Sequence, residues 1–319
     1  MKTKIILLVC LLIFGLSNAQ FVKNHGKLKV LGTQLVDQNN DPIVLRGMSF
    51  GWHSMWPRFY NQGAVNWLAK DFKCTVVRAA MGVELGEQPY IKAPDFSKAK
   101  VEAVVDGAIK AGIYVIIDWH SHNINLKETK VFFAEMSKKY AKYPNIIYEV
   151  YNEPDYETWD EVKAYSEEVI AVIRANDPDN IILVGCPHWD QDIHLPAANP
   201  IKGNTNLMYT MHFYAGTHTK ELRDRTDEAI KSGLPVFVSE SAGMEATGDG
   251  PLNLVAWKEY IDWMETKKLS WITWSVSDKD ETCSILKKSA QSEGNWKTED
   301  LKESGIIVRD YLRKYNTQK

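Results

Sequence analysis

The stretch "NIIYEVYNEP", residues 145–154, begins like a buried strand and ends in polar side chains. Its first half is rich in the β-branched and aromatic residues that favour strands. Asn152 and Glu153 follow at once, and Pro154, which cannot extend a sheet ladder, ends the run. A carboxylate at the end of a buried strand predicts a functional group, because a packing position there would be apolar.

Seven further apolar runs of similar length lie along the chain, at residues 42–50, 75–81, 114–120, 181–187, 207–214, 235–240 and 270–277. A stretch with helical periodicity follows almost every run, and only the connection after residues 181–187 is less regular. Strands that alternate with helices indicate parallel pairing through crossovers, and near-continuous apolar character indicates burial on both faces. Eight such units predict an α/β fold, a closed (β/α)8 TIM barrel.

The structural alternative is an open doubly wound sheet, which would usually carry a Gly-rich phosphate turn after an early strand, and the sequence has none. Residues 27–42 resemble a short β-hairpin around Asn39-Asn40 that could close the bottom of the barrel. Neither a linker nor a repeat interrupts the rest. We therefore expect a single catalytic barrel domain over residues 20–319.

The first nineteen residues have the composition of a secretory signal peptide. "MKTK" is basic, the next twelve residues are apolar, and small residues surround Ala19. An apolar run this short favours a cleaved signal over a membrane anchor, which is the alternative interpretation. The sequence thus predicts a secreted protein, extracellular or periplasmic, with no membrane association after cleavage.

The charge and cysteine content of the sequence indicate which binding partners and covalent links to expect. The chain has 38 Lys and Arg against 41 Asp and Glu, a net charge of −3, so a basic surface for nucleic acid or anionic membrane is not expected. Cys74, Cys186 and Cys283 remain after signal removal, too few for a disulfide framework. We expect buried thiols, with a single disulfide as the alternative, and a monomer.

The predicted strands end in side chains that carry chemistry. In a barrel the carboxyl ends of all strands meet at one mouth, so residues far apart in sequence become neighbours there. Glu153 and Glu240 each close an apolar run, and a facing pair of carboxyl groups can cleave an acetal. Asp118 is the alternative second acid. Glu149, four residues before Glu153, is expected deeper in the barrel, paired with Arg46 or Arg78 because a buried carboxylate needs a partner.

Other hydrolytic chemistries are poorly supported. His120 and His122 form an H-x-H, but the sequence has no H-E-x-x-H and no carboxylate–histidine triplet at ligand spacing. The serine-hydrolase G-x-S-x-G is also missing. We therefore predict neither a metal nor another cofactor.

At this level the chain resembles family 5 of the glycoside hydrolases, in particular its bacterial-type endo-β-1,4-glucanases (cellulases). The resemblance rests on six motifs in the family's order: "VVRAAM", "VIIDWH", "IIYEVYNEP", "MHFYAGTH", "VFVSE" and "WITWSVSDKDE". It implies that Glu153 is the general acid and base and that Glu240 is the nucleophile. It also implies substrate-binding or positioning roles for Arg78, His120, Asn152, His212, Tyr214, Trp274, Trp56, Trp189, Lys279 and Glu281.

Within that set the resemblance assigns particular tasks. Asn152 would bond the sugar 2-hydroxyl, and Arg78 with Tyr214 would hold Glu240. His120 and His212 would bond the sugar and the acid/base. Trp274 would lie under the −1 sugar, often with a cis peptide after it.

The remaining binding residues divide between the two sides of the scissile bond. Trp189 would stack under a leaving-side sugar, and Trp56 with Lys279 and Glu281 would contact sugars on the other side. The sequence departs from the family at Ser241-Ala242, where a reshaped loop is expected, and around His53, whose role is left open.

The division of labour also predicts opposite pKa shifts. Partial burial and the charge of Glu240 should raise the pKa of Glu153, while Arg78 should keep Glu240 ionised. We thus expect a secreted retaining endo-β-1,4-glucanase acting on cellulose or related β-glucans. The alternatives are a retaining β-mannanase or mixed-linkage glucanase and, more remotely, a non-catalytic carbohydrate-binding barrel.

Overall fold

Eight parallel strands form a closed barrel in the computed structural model, which describes residues 21–317. The strands are β3 Arg46–Phe50, β4 Val76–Gly82, β5 Tyr114–His120, β6 Ile146–Glu149, β7 Ile181–Val184, β8 Leu207–Tyr214, β9 Val236–Ala242 and β10 Trp271–Val276. They pair in chain order, and β10 closes the ring on β3. The predicted (β/α)8 barrel is therefore confirmed.

Helices cover the outside of the barrel as the periodicity predicts. They are α2 Gln62–Trp67 with its π-helical continuation Leu68–Phe72, α3 Pro94–Ala111, α4 Leu126–Tyr140, α5 Trp159–Arg174, α8 Lys220–Lys231, α9 Leu254–Lys267 and α10 Glu303–Thr317. The irregular connection after β7 contains only two short pieces, α6 Pro187–Asp190 and α7 His194–Ala198. None of the helices described is long and apolar enough to cross a membrane.

An N-terminal cap closes the bottom of the barrel. It consists of the short helix α1 Phe21–His25 and an antiparallel hairpin of β1 Lys29–Leu31 and β2 Gln34–Val36. Leu28 and Leu35 pack against the apolar lower interior of the barrel. The expected position of the turn was wrong: the hairpin turns at Gly32-Thr33, where Gly32 takes a positive φ of 62°. Asn39-Asn40 forms a second turn, bridged from Val36 to Pro42.

Three details of strand ends position the site. β6 ends at Glu149, so Asn152 and Glu153 lie on irregular backbone beyond it. Gly185, just after β7, packs against that segment, where a Cβ would come within 2.5 Å of the Tyr151 carbonyl oxygen. β9 continues through Ser241 to Ala242, so the loop expected at those residues is regular strand instead.

Two expectations concern covalent features. Cys74, Cys186 and Cys283 are buried free thiols, as expected, and no disulfide joins them. The signal peptide predicted at residues 1–19 lies outside the described residues.

Candidate active site

A cleft of about 700 Å³ opens at the carboxyl ends of the barrel strands. Ten of the twelve residues predicted for the site line it: Trp56, His120, Glu153, Trp189, His212, Tyr214, Glu240, Trp274, Lys279 and Glu281. The other two, Arg78 and Asn152, lie fully buried beneath it. The mouth of the barrel therefore gathers the predicted set.

Glu240 is held at the end of β9 by two donors, one from β4 across the barrel and one from the adjacent strand β8. Arg78 Nη1 donates to its Oε2 at 2.8 Å, and the Tyr214 hydroxyl donates to its Oε1 at 2.7 Å. Burial raises the pKa of Glu240, the charge of Glu153 raises it further, and Arg78 opposes both. The pKa of Glu240 is therefore raised overall, although Arg78 favours its ionised form as expected.

Glu153 faces Glu240 from the segment after β6. His212 Nδ1 lies 2.9 Å from its Oε1, and His122 Nδ1 lies 3.8 Å from its Oε2. Burial raises the pKa of Glu153, but the hydrogen bond and charge of His212, with smaller contributions from His122 and Arg78, together lower it below the usual value. The expected rise in the pKa of Glu153 is therefore wrong, because it counted burial and the charge of Glu240 but not the 2.9 Å contact with His212.

His212 carries the complementary shift. Burial lowers its pKa, yet the surrounding carboxylates, Asp190 foremost, raise that pKa well above the usual value. The raised pKa of His212 and the lowered pKa of Glu153 together favour an imidazolium beside a carboxylate. This pair holds the same number of protons as a neutral imidazole beside a carboxylic acid. Moving one proton from His212 Nδ1 to Glu153 Oε1, across 2.9 Å, therefore gives a protonated Glu153.

Arg78 organises the floor of the cleft. Its guanidinium bonds Glu149 at 2.6 Å and Asp118 at 3.0 Å, in addition to Glu240. Glu149 is thus the structural carboxylate predicted, paired with Arg78 and not with Arg46. Asp118 is fully buried between Arg78 and His120 and does not reach the cleft, so it is not the second acid.

Asn152 is oriented by the same guanidinium. Its Oδ1 accepts from Arg78 Nη2 at 2.6 Å, which leaves Nδ2 without a partner although that atom is buried. A buried donor with no acceptor is costly in a native structure. Nδ2 is therefore free to donate to a ligand hydroxyl.

The separation of the two glutamates distinguishes the two hydrolytic routes. One oxygen of Glu153, one of Glu240 and one ring nitrogen of His212 lie within 4.8 Å of one another. Retaining glycosidases place the carboxyl groups roughly 5–5.5 Å apart, whereas inverting enzymes need about 6.5–9.5 Å. Three such donors could also share a metal ion, but Arg78, Tyr214 and the His212–Glu153 bond already engage these groups.

Aromatic rings line the cleft on both sides of the glutamates. Trp274 stacks on His120 with centroids 5.1 Å apart and planes at 4°, and the peptide after it is cis, as expected. Trp189 lies at the other end, edge to face with the exposed Tyr156. Flat rings with polar borders suit the faces of sugar rings.

Several residues of the site were missed by the sequence reasoning. Trp52 lines the cleft against His120 and His122, whereas the neighbouring His53 is buried and does not reach it. His53 Nε2 lies 2.8 Å from Ser97 Oγ, and burial lowers the pKa of His53 to about 4. Trp52 lies beside polar residues in the sequence, a pattern that suits stacking on a hydroxylated ligand, but the motifs assigned it no role in the site.

Asp190 was missed as well, and no sequence signal marked it. It follows Trp189, is fully buried, and places Oδ2 3.2 Å from His212 Nε2. Burial raises the pKa of Asp190 well above its usual value, and the positive charge of His212 opposes that rise by favouring the ionised form.

Two facing glutamates in the mouth of a (β/α)8 barrel, at this separation, define a glycoside hydrolase. The family model described as "Cellulase (glycosyl hydrolase family 5)" matches residues 36–280. The chain therefore belongs to glycosyl hydrolase family 5, as its motifs indicated.

Named relatives agree with this assignment. An endoglucanase from Clostridium saccharobutylicum is 40% identical over 92% of this chain, and endoglucanase A from Evansella cellulosilytica is 45% identical over 86% of it. The matched regions span 66% and 57% of those two proteins, so this chain corresponds to only part of each.

Solved structures match the whole fold. A structure from Cytophaga hutchinsonii is 45% identical with a TM-score of 0.91, covering 93% of this chain and 97% of that one. The catalytic domain of a Thermobifida fusca endoglucanase, in complex with cellotetraose, is 34% identical with a TM-score of 0.86, covering 92% and 99%.

Proposed function

We propose that this protein is a retaining endo-β-1,4-glucanase that cleaves internal bonds of cellulose or related β-glucans. The observation that carries the proposal is the facing pair Glu153 and Glu240, each with its own supporting groups and with oxygens within 4.8 Å. The similarity to endoglucanases, one of them bound to cellotetraose, supports a β-glucan substrate.

The first half of the reaction forms a covalent intermediate. His212 returns its Nδ1 proton to Glu153, and Glu153 then protonates the glycosidic oxygen as the bond to the anomeric carbon breaks. With the negative charge of Glu153 removed, Arg78 favours the ionised form of Glu240, which attacks that carbon. Asn152 donates Nδ2 to the 2-hydroxyl of the sugar being attacked.

The second half releases the sugar. Glu153 is now a carboxylate and removes a proton from a water molecule, whose oxygen attacks the anomeric carbon and displaces Glu240. Two displacements restore the original β configuration. Apart from the attacking water, every step described uses side chains of this protein.

The residues that line the cleft divide into those that contact sugars on the leaving side of the scissile bond and those that contact sugars on the opposite side. Trp274 forms the platform for the −1 sugar, and His120 contacts the sugar held there. Trp189 supports a sugar on the leaving side, and Trp56 with the Lys279–Glu281 ion pair contacts sugars on the opposite side. Lining residues assigned to both the leaving side and the opposite side of the scissile bond favour attack within a long chain.

The setting of the protein is proposed on the same basis. The basic start, apolar run and small residues of positions 1–19 support a cleaved signal peptide and secretion, with residues 20–319 acting as one catalytic domain. We further propose a monomer that binds neither nucleic acid nor membrane, consistent with the mildly acidic net charge.

The proposal is tested by removing each carboxylate in turn. Glu153→Gln and Glu240→Gln should each lower kcat/KM on cellopentaose by on the order of 100-fold or more, since either loss stops one half-reaction. Glu168→Gln, at an exposed residue of α5, is the matched control and should leave the rate unchanged. Near-normal hydrolysis by either active-site variant would mean that the acid pair is wrongly chosen.

Two further readouts accompany that test. Proton NMR of the first products should show β-anomers, and α-anomers would contradict retention. Wild-type protein should prefer carboxymethylcellulose or lichenan over mannan, and activity should survive EDTA. Preference for mannan would replace the glucanase assignment with the mannanase alternative.

A further inference from the structure

His212 is surrounded by more acidic groups than the proposed reaction uses. Its Nδ1 faces Glu153, while its Nε2 lies 3.2 Å from Asp190 Oδ2 and 3.8 Å from Glu149 Oε1. Glu149 is already bonded to Arg78, but Asp190 Oδ2 has no hydrogen-bond partner although it is fully buried. A buried carboxylate oxygen without a donor is costly unless a nearby positive charge offsets it.

The backbone around Asp190 is strained in a way that aims this side chain inward. His188, Trp189 and Asp190 have φ values of 58°, 52° and 61°, a left-handed run that non-glycine residues rarely adopt. Asp190 Oδ1 accepts the Cys186 amide proton and so fixes the carboxylate inside the turn. The same turn directs Trp189 into the cleft.

Ser239 alone does not determine the protonation of His212. Its hydroxyl lies 2.8 Å from Nε2 and can either donate to that nitrogen or accept from it. In its ionised form, which the charge of His212 favours, Asp190 can only accept, so it favours the form of His212 that carries a proton on Nε2. With Nε2 protonated, any further proton on the ring must occupy Nδ1, which faces Glu153.

We propose that Asp190 is a positioning residue for acid catalysis: it keeps His212 protonated beside Glu153, so that the pair always holds the proton required by the leaving oxygen. This inference rests on the proposed function, because it concerns the acid step of that reaction. Asp190 does not touch the substrate and acts through His212.

The proton balance is simple. Before cleavage His212 Nδ1–H breaks as Glu153 Oε1–H forms, and Glu153 then passes this proton to the glycosidic oxygen as its C–O bond breaks. His212 keeps its Nε2 proton throughout. In the second half-reaction a water proton moves to Glu153, which restores the pair.

Other charges also bear on His212. The carboxylates nearby are Glu149, Glu153, Glu240, Asp118 and Asp190, and the cationic or titratable groups are Arg78, His120, His122 and His218. Among them Asp190 is the carboxylate in contact with Nε2 that no guanidinium bonds. Replacing it therefore changes the charge on His212 while leaving the Arg78 contacts in place.

The test is the pH profile of Asp190→Asn. Asparagine keeps Oδ1 for the Cys186 amide, removes the negative charge, and turns an N–H donor toward Nε2. The pair should lose its proton at lower pH, so the basic limb of kcat/KM on cellopentaose should move down by about one pH unit. Above that limb the rate should fall about tenfold, and near the acidic optimum it should change little.

Asp192→Asn is the matched control. Asp192 lies two residues further along the chain, pairs with Arg225 at 3.0 Å and does not contact His212. Its variant should keep the wild-type profile. If Asp190→Asn lowers the rate equally at every pH, Asp190 serves only to hold the turn and the proposal is overturned.

Two measurements separate this role from damage to the site. The dinitrophenolate group of a dinitrophenyl β-cellobioside departs without acid assistance. The kcat/KM of Asp190→Asn on this substrate should therefore be nearly the same as that of the wild type. An equal loss on this substrate would contradict the proposal. Nitrogen NMR of His212 at neutral pH should show both ring nitrogens protonated in the wild type and one in the variant, a result that stands even if the glucanase assignment fails.

Discussion

The two ends of the barrel are built from the same eight strands, but their interiors differ completely. The lower interior is an apolar plug in which Ile116, Ile147 and Phe237 pack against Leu35 and Leu45 of the N-terminal segment. At the mouth, Arg78 alone bonds three carboxylates, and His212 contacts others. Stability and chemistry are thus separated along the strand axis, with hydrophobic burial at one end and paired buried charge at the other.

Among the substitutions considered, removing Arg78 is expected to have the largest effect on both stability and activity. In Arg78→Met three buried carboxylates lose their cation, which should reduce the free energy of unfolding by about 3–5 kcal/mol at neutral pH and abolish activity. Denaturant titration monitored by tryptophan fluorescence measures the first effect. Acid should narrow the difference from wild type, because carboxylates without a cation bind protons more readily in the folded protein than in the unfolded chain.

Lys27→Met is the control for that experiment. It removes a cation from an exposed pair with Asp179, which should cost less than about 1 kcal/mol. If the two variants were equally stable, the buried carboxylates at the mouth would not depend on Arg78 for their stabilisation.

A cavity at the bottom should affect stability without affecting catalysis. Leu45→Ala removes a fully buried side chain from the plug and should lower the free energy of unfolding by about 2–4 kcal/mol. Activity per folded molecule should stay within about twofold, because the site lies at the opposite end. Leu31→Ala, at an exposed position of β1, serves as control, and a marked loss of kcat/KM in Leu45→Ala would show that the two ends are coupled.

The smallest expected effect is the pH dependence of the free energy of unfolding that arises from His53, a buried residue beside the mouth of the barrel. Burial lowers the pKa of His53 from 6.5 to about 4, so the folded protein binds fewer protons there than the unfolded chain between these values. The stability contribution of neutral His53 is complete above pH 6.5 and is lost as the pH falls, by about 2 kcal/mol at pH 5. His53→Asn should flatten this slope in thermal unfolding, and an unchanged slope would assign it to other groups.

Sequence reasoning recovered what periodicity and strand ends encode. Apolar runs located all eight strands. Polar residues at the ends of two runs located Glu153 and Glu240, and a charged residue inside a third run located Arg78. It failed where backbone conformation decides the contact. The left-handed turn that aims Asp190 at His212 has no signature in "GCPHWDQD", and the hairpin turned at Gly32-Thr33 although Asn39-Asn40 had the stronger composition. The pKa direction of Glu153 failed for a similar reason, since it depends on a 2.9 Å contact between distant strands.

Gly185 has a consequence that reaches the chemistry. The segment that carries Glu153 lies so close to the end of β7 that one methyl group on Gly185 would overlap the Tyr151 carbonyl and crowd Pro154. The stereochemical course depends on the distance between the acid and the nucleophile. That distance is therefore maintained partly because Gly185 has no Cβ. Gly185 has no side chain, yet it sets the position of the segment that carries Glu153. A larger residue there would shift that segment and change the distance between Glu153 and Glu240.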